Sequence, residues 1–154
     1  MVLHNFLVEN MLIPPLQQDG LLPPGLYLAN MDEIEQRFGQ STPLRQELFV
    51  RLRLFVELAR HCGALRMFVN GSFVTAKPEP GDVDVVIWLG EKYFDLLKNA
   101  DKKASRLEEI FDTREPEEAF SVFEEIDWND WIDFFSLVRE HPDKQKGLVE
   151  VKLT

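Results

Sequence analysis

The chain has 154 residues, a formal net charge of -10 and 45% apolar residues, with twelve Phe and three Trp. This length predicts a single domain over residues 1–154, with one hydrophobic core. No apolar run reaches the roughly 18 residues that a membrane-crossing helix needs. The acidic charge argues against bulk binding of nucleic acid, because such proteins neutralise phosphates with clustered Lys and Arg.

Cysteine usage and the N-terminal stretch bear on the cellular compartment. The only cysteine, Cys62, excludes a disulfide framework and a cysteine-based zinc site, and we expect it to be a small buried apolar residue. No Lys or Arg precedes Arg37, so the opening VLHNFLVENMLI lacks the basic start of a secretory signal. These features predict a cytoplasmic protein.

The first thirty residues are predicted to form an arm that wraps the domain. After a short apolar element at the N-terminus, the prolines at 14, 15, 23 and 24 favour extended or turn structure. Asn30 is a candidate cap for a short helix, with Glu33 at its third position and Gly39 at its end. Its inward-facing residues are predicted to be Met31, Ile34 and Phe38.

The rest of the chain alternates helices and strands. Thr42 and Pro43 begin a long predicted helix that runs to about Cys62, with an apolar stripe formed by Leu44, Leu48, Leu52, Phe55 and Ala59. The later predicted elements are a strand at 66–69, a helical turn through 74, a strand at 82–89, a helix at 91–111 interrupted near 99, a strand at 118–123, a helix at 130–138 and a closing edge strand at 148–153. This pattern predicts an α+β fold, with a small mixed sheet and helices mainly on one face.

The stretch VNGSFVTAKPEPGDVDVVI, residues 69–87, contains the candidate metal-binding and phosphate-binding residues. Asp82 and Asp84 stand at alternate positions of a predicted strand, so their carboxylates should share a face and could share Mg²⁺ or Mn²⁺. Gly71 and Ser72 form a turn nine residues earlier, where a backbone without a side chain can approach a phosphate closely. Lys77, in the connecting loop, is a further candidate for contacting a triphosphate. The simpler alternative is a Pro/Gly-rich turn followed by two solvated acids.

At these residues the chain resembles the DNA polymerase β-like nucleotidyltransferase superfamily, in its minimal nucleotidyltransferase form. That signature is a hydrophobic residue, Gly, Gly or Ser, about a dozen residues, and Asp-hydrophobic-Asp/Glu-hydrophobic. The resemblance implies that Gly71 and Ser72 bind nucleotide phosphates and that Asp82 and Asp84 bind the catalytic metal. Asn70 departs from the signature, because it occupies the usually hydrophobic position.

A second resemblance runs along most of the chain, to small bacterial nucleotidyltransferase-like proteins of unassigned function. It is carried by LLPPGLYLANMDEIEQRFG, GSFVTAKPEPGDVDVVI and DWIDFFSLVREHPDKQKGLVEV. It supports the fold more than any activity.

The third acid that catalytic members of the superfamily carry on a neighbouring strand is not evident. Ser121 occupies the middle of the candidate strand, and Glu124, Glu125 and Asp127 follow it as possible substitutes. Exposed acids in a loop before a helix would look the same.

Three functions therefore remain open. The first is a metal-dependent enzyme that transfers NMP, with AMP from ATP preferred, to a hydroxyl acceptor, including one on a partner protein as in toxin–antitoxin pairs. The second is a nucleotide-binding or partner-binding module with an incomplete site. The third is a structural interaction protein that uses its aromatic C-terminal helix.

Overall fold

The computed structural model describes residues 13–114 and 119–154, and within them a five-stranded mixed sheet forms the centre of the fold. Its strand order is β1-β7-β2-β3-β4, and β5 and β6 form a separate two-stranded hairpin. The strands are β1 Leu26–Ala29, β2 Arg66–Asn70, β3 Asp84–Trp88, β4 Ala119–Val122, β5 Leu137–Val138, β6 His141–Gln145 and β7 Leu148–Val151. The apolar element predicted at the N-terminus and the predicted strand start at Glu118 lie outside the described residues.

Five α-helices and one short 3₁₀ helix accompany the strands in the described part of the chain. They are α1 Met31–Phe38, α2 Pro43–His61, the 3₁₀ helix Ser72–Val74, α3 Glu91–Lys98, α4 Lys102–Thr113 and α5 Glu125–Ser136. The predicted α+β class is confirmed. None of these helices is long and apolar enough to cross a membrane.

The two faces of the sheet are covered unequally. The face that carries Val69 and Ile87 packs against α1 to α4 in the larger apolar cluster. The opposite face, here called the aromatic face, carries Phe68 and Val86 and packs against Trp128 and Phe135 of α5. The prediction of helices mainly on one face is therefore confirmed, with α5 as the exception.

The predicted helix starts are confirmed by their capping contacts. The Asn30 side-chain oxygen accepts a hydrogen bond from the Glu33 backbone N–H at 2.9 Å. The Thr42 hydroxyl likewise accepts from the Arg45 N–H at 3.1 Å, with Pro43 as the first helical residue. The predicted break near Asn99 separates α3 from α4. Local signals were sufficient here because caps and breakers act within one helical turn.

Several predicted elements differ from the structure, and the strand predicted at 82–89 begins at Asp84. The last strand is not an edge strand, because β7 lies between β1 and β2 and buries Leu148 and Val149 completely. Residues 26–29, predicted as part of an extended arm, form β1 through parallel pairing with β7. Helix α5 begins at Glu125 rather than Asp130, since acids in its first turn suit the positive end of the helix dipole.

From residue 13 onward, the N-terminal arm is tied to the domain. Leu22 is 1% exposed, and the Arg37 guanidinium donates hydrogen bonds to the carbonyls of Ile13 and Pro14. The Ala76 N–H donates to the Gly20 carbonyl at 2.9 Å. The arm therefore also contacts the loop between β2 and β3.

Candidate functional site

The candidate site lies at the end of the sheet where β2 leaves its antiparallel partner β3. Asn70 is the last residue of β2 and pairs with Asp84, the first residue of β3. Gly71 follows with φ at 93°, a backbone conformation that residues with a side chain rarely adopt. It directs the chain from β2 towards the 3₁₀ helix. The turn and the buried carboxylate of Asp84, 7% exposed, thus meet at one point.

The position of Asp82 corrects one part of the sequence interpretation. Strand β3 begins at Asp84, so Asp82 lies in the loop before it and the alternation of a strand does not orient its carboxylate. The reason is that Gly71 turns away and leaves no strand opposite Asp82. The carboxylate nevertheless reaches the turn, because a side-chain carbon added to Gly71 would lie 3.0 Å from Asp82 Oδ1 and 3.5 Å from the Asp84 nitrogen. The structure therefore brings Gly71 together with both acids.

Ser72 helps to fix the loop that connects the turn to the acids. Its hydroxyl accepts a hydrogen bond from the Gly81 N–H at 3.2 Å. Its carbonyl accepts from the Thr75 hydroxyl at 2.7 Å and from the Thr75 N–H at 3.2 Å. Ser72 thus closes a loop of ten residues directly before Asp82.

A buried arginine holds the same loop from inside the protein. Arg45, 4% exposed, donates to the carbonyls of Phe73 at 2.7 Å, Thr75 at 2.8 Å and Lys77 at 2.6 Å, and also to that of Phe38 at 3.0 Å. Burial lowers the pKa of its guanidinium, and these carbonyls replace the lost hydration. The loop is therefore shaped by one charged side chain.

The two lysines relevant to the site, Lys77 and Lys146, have different environments. Lys77 is exposed, and its described hydrogen bonds involve its backbone, whose carbonyl accepts from Arg45 and whose N–H donates to the Thr75 hydroxyl. Lys146 precedes β7, and β7 pairs antiparallel with β2. Lys146 therefore lies at the end of the sheet where β2 ends and the Gly71 turn begins. Burial lowers the pKa of its ammonium group, Arg139 lowers it further, and the carboxylates of Asp84 and Asp82 raise it. Lys146 is therefore a cation whose pKa is affected by the charges of both acids.

Neither the Ser121 position nor the three acids that follow it lie beside Asp84. Ser121 pairs with Ile87, so it lies on the face that packs against α1 to α4, whereas Asp84 lies on the aromatic face. Glu124, Glu125 and Asp127 follow the end of β4 that is level with Trp88, about 13 Å along β3 from Asp84. Sequence proximity to β4 suggested these acids, but the parallel direction of β4 carries them to the wrong end.

The donor set at this end suits a hard divalent cation. Two carboxylates are the usual protein contribution to Mg²⁺, which keeps water and substrate phosphates as its other ligands. In addition, Asn70 is 4% exposed and its side-chain oxygen accepts no hydrogen bond from the described residues. Those residues contain no group of three or more His, Cys, Asp or Glu side chains placed to hold a metal ion. The two carboxylates and the Asn70 oxygen are therefore the described donors that a hard cation could use at this end of the sheet.

Comparison with known proteins places the chain in a family. A family profile described as a family of unknown function, DUF6932, matches residues 14–152. The chain belongs to the DUF6932 family. Searches of curated proteins and of solved structures find no match to this chain. The DUF6932 match includes Gly71, Asp82, Asp84 and Lys146, so the family relationship covers the whole candidate site.

Sequence reasoning missed Arg45 and Lys146 in this DUF6932 chain. A signal for Arg45 was present, because it stands three residues before Leu48 on the apolar stripe of α2, where a core residue is expected. Lys146 is distant in sequence from the turn, and only the pairing of β7 with β2 brings it near. That pairing has no local signature.

We expect Arg45→Met to lower the free energy of unfolding by about 2 to 4 kcal/mol, because buried carbonyls lose a charged donor. It should also expose the loop at residues 72–81 to proteolysis. Urea unfolding and limited proteolysis measure the two effects. Arg53→Met is the matched control, since Arg53 is half-exposed and its 3.7 Å contact with Glu35 should contribute little. Equal unfolding midpoints for the two variants would contradict this role of Arg45.

Proposed function

We propose that this protein is a Mg²⁺-dependent nucleotidyltransferase that moves NMP, with AMP from ATP as the first candidate, to a hydroxyl acceptor. The single observation that carries the proposal is the meeting of Asp82, Asp84 and the Gly71 turn at one end of the sheet. This is the arrangement that the sequence signature led us to expect. Membership in a family of unknown function is compatible with it and adds no further support.

The acidic pair is the part of the site suited to the metal. Asp84 is held by its strand and Asp82 by the fixed loop, so both carboxylates are positioned before any ligand arrives. Such preorganisation is valuable because no reorganisation is needed when charge develops. A bound divalent cation would stabilise negative charge on the α-phosphoryl group and on the departing pyrophosphate.

Lys146, beside the Gly71 turn, is the part of the site suited to the triphosphate. The ammonium of Lys146 lies in the electrostatic range of both acids and would balance phosphate charge beside them. Gly71 is buried, and a side-chain carbon there would lie 3.0 Å from Asp82 Oδ1, so glycine at this position leaves room for the Asp82 carboxylate beside the turn. Lys146 therefore replaces Lys77 as our candidate for holding the triphosphate.

The transfer itself is a displacement at phosphorus. The acceptor oxygen forms a bond to the α-phosphorus, the bond from that phosphorus to the bridging oxygen breaks, and pyrophosphate leaves while the acceptor proton passes to solvent or a base. The net charge of -10 favours a small molecule or a protein as the acceptor over bulk nucleic acid. A partner protein, as in toxin–antitoxin pairs, fits this preference.

One observation favours the second candidate function, a nucleotide-binding or partner-binding module. Among the described residues, neither Ser121 nor the three acids that follow β4 supply a third carboxylate beside Asp84. Loss of a positioned base commonly lowers a rate by roughly 100-fold or more. The module would bind nucleotide and metal without turnover.

The acidic pair is tested by replacing Asp82 and Asp84 with Asn together. Label transfer from α-³²P-ATP with Mg²⁺ to proteins of a cell extract or to small hydroxyl compounds should fall at least about 100-fold. Asp95→Asn with Asp112→Asn removes the same charge from exposed helix positions and should leave transfer unchanged. Undiminished transfer in the first variant would refute the site. Stabilisation of the wild-type protein by ATP and Mg²⁺ without any product would instead support the binding module.

The two lysines are compared by Lys146→Met and Lys77→Met. The first should raise the Kd for ATP with Mg²⁺ about 10-fold or more, because a charge-assisted contact to phosphate is lost, while the second should change it less than about twofold. Isothermal titration calorimetry measures both. We expect Lys146→Met to fold normally, since burial already disfavours the charge at that position. A larger rise in Kd for Lys77→Met than for Lys146→Met would contradict the role of Lys146 and assign triphosphate binding to Lys77.

A further inference from the structure

We propose that the side-chain oxygen of Asn70 is a third oxygen ligand for the divalent cation, beside the carboxylate of Asp84. This inference rests on the proposed metal site and adds to it a neutral ligand on the neighbouring strand. Asn70 is the residue that departs from the nucleotidyltransferase signature, where a hydrophobic residue is usual.

The geometry comes from the strand register. Asn70 and Asp84 are direct cross-strand partners of an antiparallel pair, so their side chains lie on the same face with Cβ atoms about 4.5 to 5.5 Å apart. That spacing allows the Asn70 oxygen and a carboxylate oxygen of Asp84 to reach one ion. Asn70 also directly precedes Gly71, against which Asp82 is packed. All three oxygen-bearing side chains thus surround the same turn.

Burial makes the Asn70 oxygen unusual. The residue is 4% exposed, and this oxygen accepts no hydrogen bond from the described residues. A buried acceptor without a donor costs about 1 to 3 kcal/mol, whereas an apolar side chain of similar size avoids that penalty. Phe68 and Val86, the neighbouring pair on the same face, are both fully buried, so an apolar residue would suit this position. Packing alone therefore gives no reason for an amide here.

The chemistry favours a cation as the partner. An amide oxygen accepts hydrogen bonds and binds cations, and it repels the oxygens of a phosphate. Its neighbour Asp84 is also an acceptor when ionised, so two acceptors face the same space. A cation beside Asp84 gives the Asn70 oxygen a partner, and side-chain amide oxygens are regular ligands of hard divalent ions.

The test measures binding of Mn²⁺ alone, by the electron paramagnetic resonance signal of free Mn²⁺. Asn70→Leu should weaken Mn²⁺ binding on the order of 10- to 100-fold, as ligand-shell changes do, while its melting temperature does not fall. Asn70→Asp should bind Mn²⁺ at least as tightly as the wild type. Without metal, Asn70→Asp should melt at a lower temperature, because a second carboxylate faces Asp84, and Mn²⁺ should reverse that loss.

The outcomes separate this inference from the metal site itself. Asn99→Leu, at the exposed end of α3, is the control and should bind Mn²⁺ like the wild type. If Asn70→Leu binds Mn²⁺ like the wild type while Asp82→Asn with Asp84→Asn does not bind it, the Asn70 role is overturned and the acidic site stands. If the wild type itself takes up no Mn²⁺ at millimolar concentration, both are overturned.

Discussion

The hydrogen bonds from Arg45 to backbone carbonyls are the interaction on which the candidate site depends. After Val74, the loop from Ser72 to Gly81 buries only Pro80, so few side-chain contacts fix its path. Arg45 binds three carbonyls within it and a fourth at the end of α1. Charged donors form the stronger class of hydrogen bond, and burial removes competition from water. The position of Asp82 follows from this, because the loop delivers it to the Gly71 turn.

The two ends of the sheet differ in how their charges are satisfied. At one end, Arg66 donates two short hydrogen bonds to Glu150, at 2.6 and 2.7 Å, and its guanidinium lies 4.8 Å from the centre of the Trp128 ring. That acid and that base satisfy each other. At the other end, Asp82 and Asp84 gather around a glycine, and Lys146 is near them. The second end, with carboxylates, a cation and a buried amide oxygen, is the one equipped to receive an external ligand.

The sequence was most informative where structure is local. Caps at Asn30 and Thr42, the break at Asn99 and the turn at Gly71 were all readable because their determinants lie within a few residues. Strand order was not readable, since the insertion of β7 between β1 and β2 depends on pairing between distant segments. The same non-local pairing explains why Lys146 was missed.

The site was predicted in part for similar reasons. The spacing of Gly71, Asp82 and Asp84 indicated a common location, and the structure brings them together, although Asp82 arrives through a loop rather than along a strand. The acids that follow β4 lie at the opposite end of the sheet from Asp84, and the sequence did not reveal this because the direction of β4 relative to β3 has no local signal. In the sequence, Asn70 stood out only because it occupies a usually hydrophobic position of the nucleotidyltransferase signature. Its burial and its pairing with Asp84 gave that exception a physical meaning.

The central claim is that a divalent cation binds where β2 and β3 separate, and paramagnetic broadening of amide resonances by Mn²⁺ tests it most directly. In a titration of the ¹⁵N-labelled protein, the account predicts that the amides of Gly71, Asp84 and Lys146 broaden first. Those of Glu125 and Asp127, at the far end of the sheet, should persist. Early broadening at Glu125 and Asp127, with Gly71 and Asp84 unaffected, would contradict the account.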